Sequence, residues 1–597
     1  MGRKKKNIEE KEFIPSHYQE AIFNFIDYDV GNLVVEACAG SGKSTTLIQI
    51  IKRIPIEKSI LFCAFNKDIV KELSKKVDKA YTNVDIRTIH SLGFLYLQRN
   101  VKDKKLTINE NKYREFIYNH LKDISRVNIS YMSYNTKMKY IDNIVKLIDF
   151  ARYNLADSVK EIVDLAEKHD IDLLDDEPNA VLDALEWGKE WLDDIDYTDM
   201  VWLPNTLPFK PYGLLYDYIF LDEAQDVSTA QRELILKCKK INTRMFSFGD
   251  SNQCLYSFAS ASPDSFDKLK SIPNTKVLPL SISYRCPKNI VNFAKTLVPS
   301  IEHNEKNEID GEIKYNSNIE DINDGDMVLC RNNEPLMKLY CELIRNGKKC
   351  KIRGKDIGLN LKRIVKSYKQ DKLNADLSKD GLFVRLYENL FSLRDKMMKK
   401  SGLDETTIMN DSAIVNKLDI INTLEILSEG INNSDELITK ISDMFSDRKN
   451  VGISLSTIHK AKGLECNNVF IACPSLMPSK SAKQKWEIEQ ENNLKYVAYT
   501  RAKSKLSFLN EEEFKDLTET NNNKLKEIER QVNKILGKEK ISHQIDAIKM
   551  DEIFSKIQKI EKPKIGKSIS LNETNLKNNT TSLNNLFNNK LKKVKRK

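Results

Sequence analysis

The stretch Asn32-Leu33-Val34-Val35-Glu36-Ala37-Cys38-Ala39-Gly40-Ser41-Gly42-Lys43-Ser44-Thr45 decides how this chain is read. An apolar run of strand character ends in a glycine-bearing turn, and a helix-like run continues from Thr45 to Arg53. In such a turn the backbone N–H groups and the positive end of the helix dipole collect an anion. Lys43 adds a point charge, and the Ser44 hydroxyl can hold magnesium. The general pattern is GxxxxGK[ST], with Ala37 in its first position here. The phosphate cradle is therefore expected at Ala39, Gly40, Ser41, Gly42, Lys43, Ser44 and Thr45.

A second stretch supplies the chemistry that a phosphate cradle lacks. In Tyr216-Asp217-Tyr218-Ile219-Phe220-Leu221-Asp222-Glu223-Ala224-Gln225-Asp226 an apolar run ends in adjacent carboxylates. Phosphoryl transfer to water needs a metal and a group that orients or deprotonates the water. Asp222 suits the metal and Glu223 the water. Together the two stretches predict a nucleoside triphosphatase using ATP and Mg2+.

The 597 residues suffice for several domains and ample core, and 40% hydrophobic with 30% charged residues fits a globular chain. No apolar run reaches the length of a membrane-spanning helix, and Met1-Gly2-Arg3-Lys4-Lys5-Lys6 lacks the apolar core of a secretory signal. The ten cysteines are scattered without a CxxC pair, which argues for a reducing compartment and against a zinc or iron–sulfur site. The expected location is intracellular: the cytoplasm of a bacterial or phage-infected cell, or the nucleus if the source is eukaryotic. The net charge of +10 is unevenly spread, with basic runs at Arg3–Lys6 and Lys590–Lys597; such a tail can hold a polyanion nonspecifically or serve as a solvated or localisation tail.

The alternation of strand and helix patterns predicts an α/β fold of two parallel-sheet domains in tandem, each interrupted by a mainly helical insertion. Strands are expected at 32–36, 59–64, 84–88, 216–223 and 244–249, and then at 326–330, 451–456, 468–473 and 505–509, with a helix at 487–501. The boundaries read as 1–94 and 206–275 for the first domain, split by the insertion 95–205. The second domain reads as 276–356 and 448–511, split by the insertion 357–447. A helical extension at 512–560 and a basic, disordered tail at 561–597 follow.

Two α/β units facing one nucleotide need a cation from the second unit at the γ-phosphate. Arg285, in Ser283-Tyr284-Arg285, and Arg501, in Tyr496-Val497-Ala498-Tyr499-Thr500-Arg501-Ala502, are the candidates. With these in place the chain resembles superfamily 1A helicases of the UvrD/Rep type over roughly residues 15–510. Pro15–Gln19 resembles the adenine-reading Q motif, Phe62–Lys67 motif Ia and Thr88–Ser91 motif Ib. Gly249–Ala259 resembles motif III, Ser283–Arg285 motif IV, Ser456–Glu465 motif V and Glu491–Ala502 motif VI. The Phe65-Asn66-Lys67 and His90–Phe94 segments look most like the branch of F-box DNA helicases and phage relatives.

The resemblance implies two RecA-like domains and a motor that moves 3′→5′ on single-stranded DNA and unwinds tailed duplexes in replication, recombination or repair. The chain would work as a monomer. Protein stripping from single strands, service as the motor of a nuclease or defence complex, and RNA unwinding are the alternatives. Gln19 and Tyr284 would hold adenine, Glu465 the ribose, and Lys43, Ser44 and Asp222 the Mg-nucleotide. Glu223 would be the base, Gln253 the γ-phosphate sensor, and Arg285 and Arg501 the arginine fingers. Phe65, Thr88, His90, Tyr256, Phe258, Thr457 and His459 would line the strand track, where aromatic faces stack on any base and small polar groups grip phosphates. Three positions depart from the family pattern: Ala259 and Asn493 stand where arginine is usual, and Ser283 where asparagine is usual. In the tail, Ser582-Leu583-Asn584-Asn585-Leu586-Phe587 resembles a sliding-clamp-binding peptide.

Overall fold

The computed structural model describes residues 13–535 except 65–66, 78–80, 103–104, 125–133, 170, 172, 174–176, 256–264, 370–380, 432, 446–451, 515–524 and 534. Phe65, Tyr256, Phe258 and the Ser582–Phe587 peptide lie outside the described residues, as do most of 512–560 and all of 561–597. The chain divides into a large unit running to Lys524 and a C-terminal unit from Leu525, in which 525–533 is helical.

The large unit is built on two six-stranded parallel sheets. The first runs in the order Val84–Thr88, Ile60–Ala64, Tyr216–Leu221, Lys239–Gly249, Asn32–Ala37, Thr275–Leu280, every neighbour parallel. Ile60–Ala64 is buried along its whole length, as expected of a central strand with helices on both faces. Side-chain alternation divides the core between those faces. Leu33, Val35, Ile60, Phe62, Phe220 and Phe246 pack on one side, and Val34, Leu61, Cys63, Ile219, Leu221 and Met245 on the other.

The second sheet runs Glu312–Ser317, Ala502–Leu509, Cys466–Ile471, Met327–Cys330, Ile453–Thr457, Cys350–Ile352, again all parallel. Its main covering helix is Lys485–Tyr499. The expectation that the second unit begins at residue 276 is corrected here. Thr275–Leu280 is the edge strand of the first sheet, in register with Asn32–Ala37 from Asn32↔Thr275 to Ala37↔Leu280. A strand pattern carries no label for its partner, and Asn32 draws this one in: its N–H donates to the Asn274 carbonyl at 2.8 Å and its side chain to the Pro273 carbonyl at 3.2 Å.

In sequence between Val84–Thr88 and Tyr216–Leu221 comes a helical insertion, including Tyr134–Asn154 and Glu177–Glu190, around its own apolar cluster. It also holds two short strands that the pattern reading missed, Thr107–Ile108 paired with Asp194–Ile195. Buried charges pin its helices. Arg152 donates to Asp196 and Asp199, Lys112 to Asp199 at 2.7 Å, and the Tyr113 hydroxyl to Asp199 at 2.8 Å. Desolvating such ions costs about what their attraction returns, so the cluster adds little net stability, while removing one member would strand a buried charge. The second insertion is helical as well, with Lys355–Lys369, Leu382–Ser401, Ser412–Ser428 and Ser434–Met444.

Candidate nucleotide-binding site

Parallel sheets place functional loops at the carboxyl ends of their strands. Asn32–Ala37 feeds the Cys38–Gly42 turn, Tyr216–Leu221 feeds Asp222 and Glu223, and Lys239–Gly249 feeds Asp250 and the turn Ser251–Gln253. Thr275–Leu280 leads to Ser283, Tyr284 and Arg285. From the second sheet, Ile453–Thr457 leads to Lys462 and Glu465, and Arg501 precedes Ala502–Leu509.

Gly40 and Gly42 both adopt left-handed backbone, with φ of 73° and 80°. A Cβ on Gly40 would lie 2.5 Å from the Arg285 Cβ and 2.9 Å from the Ser283 Oγ, so glycine is required twice over. Gly42 is the N-cap of the helix Lys43–Ile51, whose first N–H groups face the turn. Tyr284 and Gln19 flank Gly42, and the Tyr284 N–H donates to the Gly40 carbonyl at 2.8 Å. The Tyr284 ring is 42% exposed, open to a stacking partner. Gln19 is buried: its carbonyl accepts from the Ser16 N–H in a capping box, and its amide donates to the Thr46 Oγ1 at 2.9 Å. Ser44 is half-buried in the first helical turn and Thr45 is exposed. The Ser41 Oγ is buried with no hydrogen-bond partner, an orphaned polar atom in the turn itself.

Lys43 donates to Glu223 Oε1 at 2.7 Å. Glu223 sits at a left-handed φ of 51° and takes a second donor on Oε2, the Gln225 amide at 2.6 Å. Burial alone would raise its pKa, but the Lys43 and Lys462 charges outweigh burial and hold the carboxyl well below the usual range. Asp222 beside it moves the other way, pushed up by burial and then by the Glu223 charge. Asp250 is pushed up to about 6 by burial.

Arg501 is 1% exposed. Its hydrogen bonds go to neutral oxygens: the Val497 and Leu464 carbonyls, the Thr500 Oγ1, and the Gln253 Oε1 at 3.2 Å. Burial, then the nearby Arg285, push its pKa down to about 9, so the guanidinium still keeps its proton at neutral pH. The other expected finger, Arg285, donates instead to Glu465 Oε2 at 2.8 Å and to the Thr500 carbonyl, and Lys503 pairs with the same Glu465. The geometry thus gathers Gln19, Gly40, Gly42, Lys43, Asp222, Glu223, Gln253, Tyr284, Arg285, Glu465 and Arg501 around one cleft between the sheets.

Four participants stand inside the quoted motifs without an assigned role. Lys462, from the second sheet's loop, pairs with the buried Asp226 of the first and donates to the Gln253 carbonyl at 2.7 Å. Asp250 accepts from the Gln253 amide at 2.6 Å. Tyr496 accepts the Ala39 N–H at 2.9 Å through its buried hydroxyl. A carboxylate directly after a strand end was a signal for Asp250. Lys462 stood inside the Ser456–Glu465 motif without a role.

Of the expected track residues, Thr88 caps the helix Ile89–Asn100 by accepting the Ser91 N–H at 3.2 Å. Thr457 is buried at the end of its strand. His90 is half-buried and its pKa is lowered by burial. His459 is pushed down to about 3 by burial, then by the Arg331 and Lys460 charges, so it is neutral at working pH. Thr88 and Thr457 each close a strand at its carboxyl end, one on each sheet.

The site fits a magnesium nucleotide. The orphaned Ser41 hydroxyl, the glycine cradle and a buried arginine bonded to neutral oxygens all suit an anion. Among the described residues no three His, Cys, Asp or Glu side chains gather into a metal cage. Ser44, in the first helical turn, and the buried Asp222 are the residues that would hold Mg2+, with phosphates and water completing its shell.

The UvrD/REP helicase N-terminal domain matches residues 19–273 and the UvrD-like helicase C-terminal domain residues 334–513. A probable DNA helicase II homolog of Mycoplasma pneumoniae is 27% identical over 296 residues, covering 45% of this chain and 40% of that protein. F-box DNA helicase protein 1 of Schizosaccharomyces pombe is 24% identical over 506 residues, covering 79% and 55%. F-box DNA helicase 1 of Gallus gallus is 25% identical over 528 residues, covering 82% and 48%. The chain thus spans between 40% and 55% of the length of these relatives. With both domain models matched in order across the two sheets, the chain belongs to the UvrD/Rep-like family of superfamily 1 helicases.

Proposed function

We propose that this chain is an ATP-driven motor that moves 3′→5′ along single-stranded DNA and separates tailed duplexes. The observation that carries the reading is Arg501: a buried cation from the second sheet that reaches Gln253 of the first and is hydrogen-bonded to neutral oxygens. A charge held that way is poised for an anion that arrives with nucleotide.

Bound Mg2+, held by Ser44 and Asp222, would neutralise phosphate charge. The chain's own groups do the rest. Lys43 leaves Glu223 for the phosphate oxygens, which frees Glu223 to orient and deprotonate the attacking water. Arg501 stabilises the charge that spreads over the transferred phosphoryl group. Arg285 exchanges Glu465 for phosphate, Glu465 then serves the ribose, and Tyr284 stacks on the base. Gln253, hydrogen-bonded to Arg501 and backed by Asp250, registers whether the γ-phosphate is present. Closing and reopening of the cleft alternate the grip of Thr88 and His90 on one sheet and Thr457 and His459 on the other. A differential affinity of a few kcal/mol between the two states suffices to drive that alternation. A sliding clamp is the proposed partner of Ser582–Phe587.

Steady-state hydrolysis with oligo-dT, oligo-rU and no polymer tests the substrate. Stimulation by DNA well above RNA is expected; stimulation by RNA alone would make this an RNA motor.

A further inference from the structure

The helix His17–Tyr28 carries Tyr18 directly before Gln19. The Tyr18 ring packs on the apolar core of the first sheet, and its hydroxyl donates to Glu302 Oε1 at 2.6 Å. Glu302 opens the short strand Glu302–His303, which runs parallel to Ile282–Ser283 with Glu302 opposite Ile282. The Glu302 N–H donates to the Ser281 carbonyl at 2.9 Å. Ile301, one residue earlier, is fully buried in the apolar core of the second sheet. Tyr18 is therefore held by the first sheet and Glu302 by the second.

The chain from Leu280 to Arg285 runs between the phosphate cradle and this short strand. On one flank the Cys38 N–H donates to the Leu280 carbonyl at 2.9 Å and the Tyr284 N–H to the Gly40 carbonyl at 2.8 Å. On the other flank lies Glu302–His303. The Tyr18–Glu302 bond thus starts one residue from Gln19 and ends opposite Ile282, two residues before Tyr284. Gln19 and Tyr284 are the side chains that flank Gly42. Tyr18 and Glu302 are both half-buried, and a hydroxyl donating to a carboxylate at this distance makes a strong, charge-assisted bond. It uses none of the groups assigned to phosphate, so it stands before nucleotide arrives and stays whole when Lys43 leaves Glu223.

We propose that Tyr18 and Glu302 are positioning residues that fix the gap between Gln19 and Tyr284, and so set how strongly the site prefers ATP to a triphosphate with a smaller base. The proposal rests on the reading of the cleft as the ATP site. The physical reason is preorganisation. Walls already held at the spacing of a stacked two-ring base need no ordering when that base binds, and a one-ring base leaves part of the gap unfilled. The triphosphate makes its contacts elsewhere, with Lys43, Ser44 and the glycine turn, so the bond acts on the base alone.

The test uses the full chain: steady-state hydrolysis of ATP and of CTP, with inorganic tripolyphosphate as a competitor that has no base. Tyr18→Phe removes one hydroxyl and keeps the ring. Its KM for ATP should rise about tenfold, the net worth of one hydrogen bond to a charged group. Its kcat should stay within about twofold, the mark of binding lost equally from ground and transition states. The KM for CTP should rise less, so the preference for ATP in kcat/KM falls severalfold, and the Ki of tripolyphosphate should not move. Glu302→Gln keeps an acceptor and should retain most of the preference. Glu302→Ala should match Tyr18→Phe, and the two together should do no more than either alone. An unchanged KM for ATP in Tyr18→Phe overturns the proposal. An equal rise for ATP, CTP and tripolyphosphate overturns it too, since the loss would then lie outside the base slot. A wild-type chain that hydrolyses no ATP overturns instead the reading on which the proposal rests.

Discussion

Glu223→Gln should tighten nucleotide binding while stopping turnover. Lys43 and Glu223 form an ion pair at 2.7 Å with side chains only 15% and 19% exposed. Nucleotide must break that pair before Lys43 reaches phosphate, so the pair is a tax on binding. Removing one member of a buried pair generally costs about 3–5 kcal/mol, because the other charge is left stranded. Here Asp222 and Asp250 still face Lys43, which reduces the penalty in the free protein to about 1–2 kcal/mol. In the bound protein the phosphates take Glu223's place, so the penalty vanishes there. The difference becomes affinity, about five- to thirtyfold tighter binding. Loss of the base should lower kcat by about 10²–10⁴. Titration with a fluorescent ATP analogue and steady-state hydrolysis read the two effects separately. Unchanged or weaker nucleotide binding would refute the competition between Glu223 and phosphate. Near wild-type turnover would refute Glu223 as the base.

Arg501→Lys keeps a cation but loses the planar fork. Hydrolysis should fall by about 10³ while oligo-dT affinity, read by anisotropy, is unchanged. Gly93→Ala should destabilise the first unit by about 3 kcal/mol, because a Cβ there would lie 1.9 Å from the Met200 carbonyl where two helices cross; a thermal melt reads it. His169 stacks on Phe150 at 3.9 Å, and burial followed by the Lys168 charge pushes its pKa down to about 4. Its folded value lies below the unfolded value near 6.5, so the folded chain takes up fewer protons between them. Stability is full above about pH 6.5 and is lost as pH falls toward 4, by about 1–2 kcal/mol after allowing for its partial exposure. In denaturant titrations at pH 7.5 and 5, His169→Phe should keep the stack and lose that part of the pH dependence.

Residues whose meaning is local were legible from sequence. Asn32–Thr45 announces itself because strand, glycine turn and helix follow one another directly, and Leu221-Asp222-Glu223 because buried strands rarely end in paired acids. The helical insertions were legible by periodicity. Glu312–Ser317, largely polar, and Cys350–Ile352, only three residues long, were not; both are edge strands. Thr275–Leu280 was not among the expected strands and fell where the second unit was expected to begin; it joins the first sheet because pairing is decided by distant partners. Lys462 with Asp226, and Tyr496 with the Ala39 N–H, are contacts across the cleft that no local pattern encodes. The Arg285–Glu465 pair was equally hidden: each residue was read as meeting the ligand, and in the structure they meet each other.

The central claim is that a cleft between two parallel sheets converts ATP hydrolysis into directed motion on a single strand. Strand displacement from duplexes bearing a 3′ or a 5′ single-stranded tail, with wild type and Lys43→Ala in parallel, tests it most directly. The account predicts ATP-dependent unwinding from the 3′-tailed substrate by wild type and none by the variant. Unwinding from the 5′ tail alone, or equal unwinding by Lys43→Ala, would contradict it.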